Sequence, residues 1–134
     1  MNSVEEKLIR AAVEAASRAY APYSQFPVGA ALVADNGRIF TGCNVENASY
    51  GLTICAERAA VAAAVTAGCR CFIHIAIAAG TGGEPATPCG ACRQILSEFA
   101  DPDMDCLLVT LDQPGQVRRF RLDALLPHAF SLKA

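Results

Sequence analysis

The sequence contains no tryptophan, only three tyrosines and no run of basic residues, and its formal net charge is −2. A protein that binds polynucleotides usually presents clustered Lys and Arg side chains to the phosphates and aromatic rings to the bases. The sequence offers neither feature. We therefore expect no nucleic-acid partner.

The sequence also lacks a hydrophobic leader and long apolar runs. Residues 1–10 are charged and polar, unlike the apolar centre of a secretory signal. The longest apolar stretches, near residues 59–67 and 72–79, are too short to cross a bilayer. We therefore expect a cytoplasmic protein without a membrane partner, whose seven cysteines are free thiols or metal ligands rather than a disulfide framework.

The remaining composition is that of one domain covering residues 1–134. An apolar fraction of 53% allows a core to form without disulfide bonds. Residues 71–110 read as strand, helix and strand, which predicts a mixed five-stranded sheet with helices on both faces, an α/β/α three-layer fold. We expect helices near residues 3–19 (capped by Ser3 and Glu6), 55–67, 89–99 and 122–126, and strands near 28–34, 38–45, 71–79, 104–110 and 117–121.

Three cysteines and one glutamate form the most informative pattern. Cys55 lies where an apolar helix is predicted to begin, and Glu57 follows two residues later. Cys89 and Cys92 are three residues apart, so they share one face of a first helical turn, where the helix dipole favours ionised thiols. A catalytic zinc site has three protein ligands and one open position. We interpret Cys55, Cys89 and Cys92 as ligands of one Zn²⁺, with Glu57 as the acid–base beside the open position.

Each part of this pattern also has a simpler explanation. Cys55 alone would more often be a small core residue. Cys89 and Cys92 alone would also fit a thioredoxin-like redox pair or half of a structural zinc site. Their combination with Pro88 and Glu57 favours catalytic zinc, while a thiol oxidoreductase and a structural zinc module that binds a partner stay as alternatives.

Several segments resemble the small, homotetrameric cytidine deaminases, and the similarity extends from about Tyr20 to Phe130. They are residues 26–31 (FPVGAA), 41–48 (TGCNVENA), 54–58 (ICAER), 88–94 (PCGACRQ) and 125–127 (LLP). The resemblance implies a cytidine deaminase-like fold and one zinc ion per subunit. It also implies hydrolytic deamination of free cytidine and deoxycytidine to uridine and deoxyuridine, with release of ammonia and with Glu57 transferring the protons.

The same resemblance implies roles for residues outside the zinc motif. Phe26 would lie against the pyrimidine ring, and Asn44 and Glu46, which alternation places on one face, would hold the ribose 3′-hydroxyl. Phe130 would cover the pyrimidine bound by an adjacent subunit of a homotetramer. Tyr50 and the backbone at Ala56 are further candidate contacts to the substrate.

Arg58 is a candidate for adjusting the charge of the metal site. Three thiolates leave a zinc site with a net negative charge, and a guanidinium that donates to the sulfurs would offset it. A surface salt bridge is the alternative role of Arg58. The closest alternative activity is deamination of another aminopyrimidine nucleoside, such as a nucleoside antibiotic; Asn44 and Glu46 favour a ribosyl group without excluding it.

Overall fold

Five strands form one sheet in the computed structural model, which describes residues 2–133. Strands β3 and β4 are parallel and the other neighbours are antiparallel, in the order β2-β1-β3-β4-β5. This arrangement confirms the predicted mixed five-stranded sheet. In chain order the elements are α1 (Ser3–Ala16), β1 (Val28–Ala34), β2 (Ile39–Cys43), a 3₁₀ turn (Tyr50–Leu52), α2 (Ala56–Thr66), β3 (Phe72–Ala79), α3 (Gly90–Phe99), β4 (Ala100–Val109), β5 (Arg118–Arg121) and α4 (Leu122–Leu125).

Apolar side chains cover both faces of the sheet, as the sequence predicts. On one face, α1 packs its Leu8 and Ala12 against a cluster from β1, β3 and β4 that includes Leu107. On the other face, α2, α3 and α4 pack against a second cluster that includes the fully buried Leu32 and Leu108. Each such leucine stabilises the fold by about 1.5–3 kcal/mol relative to an exposed one. The fold is therefore the expected three-layer α/β/α arrangement.

Two glycines let helices rest directly on strands. A Cβ atom at Gly42 in β2 would lie 2.5 Å from both Ala56 O and Ala60 N of α2. A Cβ atom at Gly29 in β1 would lie 1.9 Å from Ala12 O of α1. Real Cβ atoms do not approach backbone atoms so closely, so a larger residue would push the helix away. Gly42 therefore fixes the position of the N-terminal half of α2.

The first helix differs from the prediction at both ends. Its N-cap is Asn2, whose side chain accepts a 2.9 Å hydrogen bond from Glu5 N, so the capping box is Asn2–Glu5 rather than Ser3–Glu6. The helix ends at Ala16 instead of near residue 19. The chain then turns so that Tyr20 N donates to Asn44 O, a long-range pairing that local helix periodicity does not reveal.

Two strand boundaries also differ. β2 ends at Cys43, two residues early, because Val45 forms isolated bridges with Tyr20 and Ile54 instead of continuing the ladder with β1. β4 begins at Ala100 instead of near residue 104, because Ala100 pairs with Phe72 of β3 before the register shifts and His74 pairs with Asp105. Within residues 2–133, no helix is long and apolar enough to span a membrane.

Candidate active site

Three thiols meet where two helices begin. Cys55 is the N-cap of α2, Cys89 is the N-cap of α3, and Cys92 lies in the first turn of α3. Their sulfur atoms all lie within 4.8 Å of one another. All seven cysteines of the chain are free, as predicted. The structure therefore brings Cys55 together with Cys89 and Cys92, which come more than thirty residues later in the sequence.

The electrostatics of this group favour a bound cation. Burial is the main cause that raises the pKa of Cys55 and of Cys92, and neighbouring Cys89 and Glu57 raise them further. Burial also opposes ionisation of Cys89, but hydrogen bonds from the Cys92 N–H and from the thiols of Cys92 and Cys55 outweigh it and lower the Cys89 pKa. One thiolate is thus favoured and the other two are not. A divalent cation removes this conflict because it stabilises all three thiolates.

The donor set suits zinc. Zn–S bonds are about 2.3 Å long, so two sulfurs that share one ion lie no more than about 4.6 Å apart. The three sulfurs, all within 4.8 Å of one another, are near enough to share one ion after at most a small adjustment. Thiolates are soft ligands that select zinc over magnesium or calcium. Cys55, Cys89 and Cys92 are therefore the residues that would hold the ion.

Glu57 lies in the first turn of α2, beside the thiols, and is 5% exposed. Burial is the main cause that raises the pKa of this carboxyl, while hydrogen bonds from its own backbone N–H and from Cys92 act in the opposite direction. A raised pKa brings a carboxyl closer to neutral pH, where it can both accept and return a proton. Glu57 lines the same space as Cys55 and Cys89.

That space is a cavity of about 180 Å³ at the carboxyl end of β3. Its walls are mostly apolar, and its size suits one small ring. Crevices at the carboxyl ends of strands are the usual ligand sites of such sheets. The lining residues are Phe26, Val28, Asn44, Thr53, Cys55, Ala56, Glu57, Ile77, Ala79, Ala86, Thr87 and Cys89. A larger cavity of about 370 Å³ lies under the C-terminal tail, away from the thiols, and we assign the site by its chemistry rather than by its volume.

Asn44 and Phe26 form one wall of the cavity. The Asn44 side chain is buried; its Oδ1 accepts from Val28 N at 2.9 Å and its Nδ2 donates to Phe26 O at 3.0 Å. Asn44 thus fixes the segment that carries the half-exposed Phe26 ring. The ring lies over Gly80, where a Cβ atom would come within 3.0 Å of Phe26 Cε1. Both predicted residues therefore line the cavity.

Glu46 and Tyr50 lie outside this cavity, in an adjoining open groove of about 390 Å³. The Glu46 carboxylate accepts from Tyr23 N at 2.9 Å and from both the backbone N–H and the hydroxyl of Ser24, and the hydroxyl bond is the main cause of its lowered pKa. The exposed Tyr50 ring packs edge-to-face with Tyr23 at 6.1 Å between centroids. Asn44 and Glu46 therefore line different spaces, which share Thr53 as a border.

Ala56 lines the cavity, whereas two other predicted residues lie outside it. Arg58 is exposed, and it makes no hydrogen bond to a thiol in the part of the chain that the structure describes. Phe130 is 68% exposed, and its carbonyl accepts from Gln94 Nε2 at 3.0 Å. The proposed contact of Arg58 to the sulfurs and that of Phe130 to a neighbouring subunit stay predictions.

Sequence reasoning missed Thr53 and Arg93. Thr53 lies between the cavity and the groove, and its hydroxyl accepts from Asn47 N at 3.3 Å; no local pattern singles it out. Arg93 directly follows Cys92 and reaches back to the segment before Cys89. The sequence does contain one signal for Arg93. A cation near the start of a helix opposes the helix dipole, so it needs a specific partner.

Comparison with known proteins gives one consistent result. The profile of the family described as "Cytidine and deoxycytidylate deaminase zinc-binding region" matches residues 2–108. The cytidine deaminase of Sporosarcina psychrophila is 48% identical over 126 residues, which cover 94% of this chain and 90% of the relative. That of Mycobacterium tuberculosis H37Rv is 46% identical over 133 residues, which cover 98% and 94%.

Solved structures agree with the sequence comparisons. The crystal structure of cytidine deaminase from Burkholderia pseudomallei superimposes with a TM-score of 0.87 at 49% identity, covering 97% of this chain and 100% of that one. The Mycobacterium tuberculosis enzyme gives a TM-score of 0.80 at 45% identity, covering 98% and 100%. The thiol cluster, the cavity and these matches lead to one conclusion: the chain belongs to the cytidine and deoxycytidylate deaminase family.

Proposed function

We propose that this protein is a zinc-dependent hydrolase, acting as a single catalytic domain, that converts free cytidine and deoxycytidine to uridine and deoxyuridine and releases ammonia. Each chain holds one zinc ion through Cys55, Cys89 and Cys92. Glu57 is the catalytic acid–base. The observation that carries this proposal is the buried Glu57 carboxyl beside three clustered thiols, in an apolar cavity that suits one ring.

Glu57 moves every proton of the reaction. Zinc, when bound, supplies Lewis acidity that makes a water molecule a nucleophile at neutral pH. Glu57 accepts a proton from the attacking water and delivers it to N3 of the pyrimidine, which makes C4 electrophilic. Glu57 then takes the remaining proton of the hydroxyl added at C4 and gives it to the departing amine, so that one water is consumed and one ammonia is released. The apolar walls exclude other water and strengthen the hydrogen bonds of this carboxyl.

The cavity binds the base of the substrate and the groove binds its sugar. The pyrimidine ring occupies the cavity against Phe26, with the backbone at Ala56 and Cys89 available to its polar edge. The sugar extends past Thr53 toward the groove, where Glu46 and Tyr50 reach it, while Asn44 contributes from the cavity wall. Carboxylate and amide groups suit the donor and acceptor capacity of a sugar hydroxyl.

The charge of these surfaces favours a nucleoside over a nucleotide. Among residues 2–133, neither the cavity nor the groove is lined by Lys or Arg, and Glu46 contributes a carboxylate to the groove. A phosphate group needs cationic or clustered N–H donors. A nucleoside monophosphate would instead meet repulsion from Glu46.

The assembly is part of the proposal. We propose a cytoplasmic homotetramer in which Phe130 of one subunit covers the pyrimidine bound by its neighbour. Exposed apolar side chains support this arrangement: Phe130 and Leu132 in the tail, and Tyr50, Leu52 and Ile54 near the groove. Such patches on a small chain typically mark an interface. Arg58, which is exposed in the single chain, stays a candidate for offsetting the thiolate charge in that assembly.

A substrate panel tests the proposed activity. The purified zinc-loaded protein is assayed for ammonia release from cytidine, deoxycytidine, cytosine, deoxycytidine monophosphate and an aminopyrimidine nucleoside antibiotic, with Glu57→Gln as the control. We expect turnover of cytidine and deoxycytidine that the control lacks. A preference for the antibiotic would favour the alternative deaminase. Absence of ammonia from every compound, together with disulfide exchange by Cys89 and Cys92, would favour a thiol oxidoreductase.

A further inference from the structure

Arg93 occupies an electrostatically unfavourable place. It lies in the first turns of α3, directly after Cys92, where the helix N-terminus already carries partial positive charge. That charge favours thiolate ligands but opposes a guanidinium. The cation is therefore held there by specific acceptors, and its role follows from what those acceptors are.

The guanidinium donates to three groups outside its own helix. Nε donates to Pro88 O at 2.7 Å, Nη1 donates to Leu125 O at 2.6 Å, and Nη2 donates to Thr87 Oγ1 at 3.1 Å. Thr87 is a wall residue of the cavity, and Pro88 immediately precedes the metal ligand Cys89. Leu125 is the last residue of α4. One planar side chain thus fixes the segment that leads into the site against the end of a separate helix.

An arginine suits this position better than other cations. Its planar fork presents several N–H donors in fixed directions, whereas a lysine offers a single ammonium on a flexible stem. All three acceptors are neutral oxygens, so geometry rather than charge pairing holds the side chain. The neighbouring Gln94 acts in the same way, because its Nε2 donates to Phe130 O in the tail. The outward face of α3 is therefore used to hold chain segments in place.

We infer that Arg93 is a positioning residue for the proposed deamination: by holding Thr87 and Pro88 against α4, it fixes the position of Cys89 and of the adjoining cavity wall. Residues that orient metal ligands from the second layer typically change metal affinity or activity by about 10–100-fold when they are removed. The expected effect of replacing Arg93 on kcat/KM rests on the proposed function. Its expected effect on zinc retention can be measured without turnover.

The test compares Arg93→Gln and Arg93→Lys with the unaltered protein. We expect zinc to transfer to a chromogenic chelator about 10–100-fold faster in Arg93→Gln, at a temperature well below its unfolding midpoint. We expect kcat/KM for cytidine to fall by a similar factor, with Arg93→Lys intermediate. Low-millimolar guanidinium ion should partly restore Arg93→Gln. Arg18→Gln, which removes an exposed arginine paired with Glu14 on α1, is the matched control and should change neither quantity.

A second variant tests whether Arg93 affects zinc release and kcat/KM by its contact with Thr87 of the cavity wall. Thr87→Val keeps the shape of residue 87 and removes only the acceptor for Nη2. If Arg93 acts through this segment, the double variant should lose less than the product of the two single losses, because both changes break one shared contact. Independent, multiplicative losses would overturn the inference. So would zinc release and kcat/KM that stay unchanged in a folded Arg93→Gln.

If the unaltered protein failed to deaminate cytidine, the proposed function would fail, and the zinc-release comparison would still decide the role of Arg93.

Discussion

Two clusters of side chains that could bind a metal lie on opposite sides of the sheet. Within residues 2–133, one of them includes a positively charged side chain and the other does not. Glu5, His74 and Asp105 have ligand atoms that all lie within 4.8 Å of one another, an upper limit that the three thiols also meet. In that cluster Arg119 lies 2.7 Å from a carboxylate oxygen of both Glu5 and Asp105. The thiols have no comparable partner among the described residues.

The two clusters differ in whether a positively charged side chain already balances the charge of the ionised ligands. The hydrogen bond from Arg119 is the main cause of the lowered pKa of Glu5, so the ionised form is satisfied without a metal. The pKa of Cys55 and of Cys92 is raised instead, so their ionised forms need a cation. Both groups meet the same distance limit, so that limit does not distinguish them, whereas, in the described part of the chain, the presence of a charged arginine beside only one of them does. In the second cluster, His74 Nδ1 is buried and has no hydrogen-bond partner within residues 2–133.

Replacing a thiol should have the largest effect on turnover. Cys55→Ala, Cys89→Ala or Cys92→Ala leaves two thiolates, which bind zinc weakly, so activity should fall on the order of 10³-fold or more. His74→Ala, the matched change in the other cluster, should keep full activity. Steady-state assays of both sets provide the check. Equal losses from Cys55→Ala and His74→Ala would break the distinction between the clusters.

Glu57→Gln should cost nearly as much without disturbing the metal. The amide keeps the size of the side chain but cannot carry a proton, so kcat should fall by about 10²–10⁴-fold. Zinc content should match that of the unaltered protein. Near-normal turnover with zinc retained would remove Glu57 from the mechanism.

Glu46→Gln should have a smaller effect that appears in KM. Losing a charged acceptor for a sugar hydroxyl should raise KM for cytidine about tenfold, with zinc content unchanged. Ser24→Ala is the control, because it removes the hydroxyl that donates to Glu46 and leaves the carboxylate in the groove. An equal rise in KM in both variants would mean that Glu46 acts only by holding the Tyr23–Ser24 segment.

Glu5→Gln should affect stability and leave turnover unchanged. The change breaks a buried ion pair whose arginine is half-exposed and keeps Asp105, so we expect a loss of about 1–3 kcal/mol in the free energy of unfolding at neutral pH. Because folding lowers the Glu5 pKa, its contribution is complete above the ordinary value of 4.5 and is lost as pH falls through the lower folded value.

Urea denaturation of both proteins over a pH series measures this difference. The difference in the free energy of unfolding between the unaltered protein and Glu5→Gln should therefore narrow as pH falls below 4.5. Glu14→Gln, which breaks the exposed i,i+4 pair with Arg18, should cost no more than about 0.5 kcal/mol. A gap that stayed constant with pH would contradict the role of the Glu5–Arg119 pair.

The sequence predicts the thiol site well because the site is built from local signals. Cys89 and Cys92 share one helical turn, and Cys55 and Glu57 share the start of another. Two strand–helix junctions then need only meet at one edge of the sheet, which the predicted topology already requires. The second cluster has no such signal, since Glu5, His74, Asp105 and Arg119 come from four different elements.

Residues whose roles depend on long-range contacts were harder to predict. Asn44 and Glu46 alternate in sequence, but they line different spaces, and Val45 between them pairs with Tyr20 and Ile54 rather than with β1. Arg93 acts through Leu125, which is 32 residues away in sequence. The end of α1 depends on the same Tyr20 pairing. Each of these features is set by tertiary contacts that periodicity and spacing do not encode.

The metal content of the purified protein tests the central claim most directly. Native mass spectrometry of the unaltered chain, Cys92→Ala and His74→Ala measures zinc per chain without relying on activity. We predict one zinc per chain in the unaltered protein and in His74→Ala, and well below one in Cys92→Ala. Two zinc ions per chain, or one that persists in Cys92→Ala and is lost in His74→Ala, would contradict the assignment of the thiol cluster as the metal site.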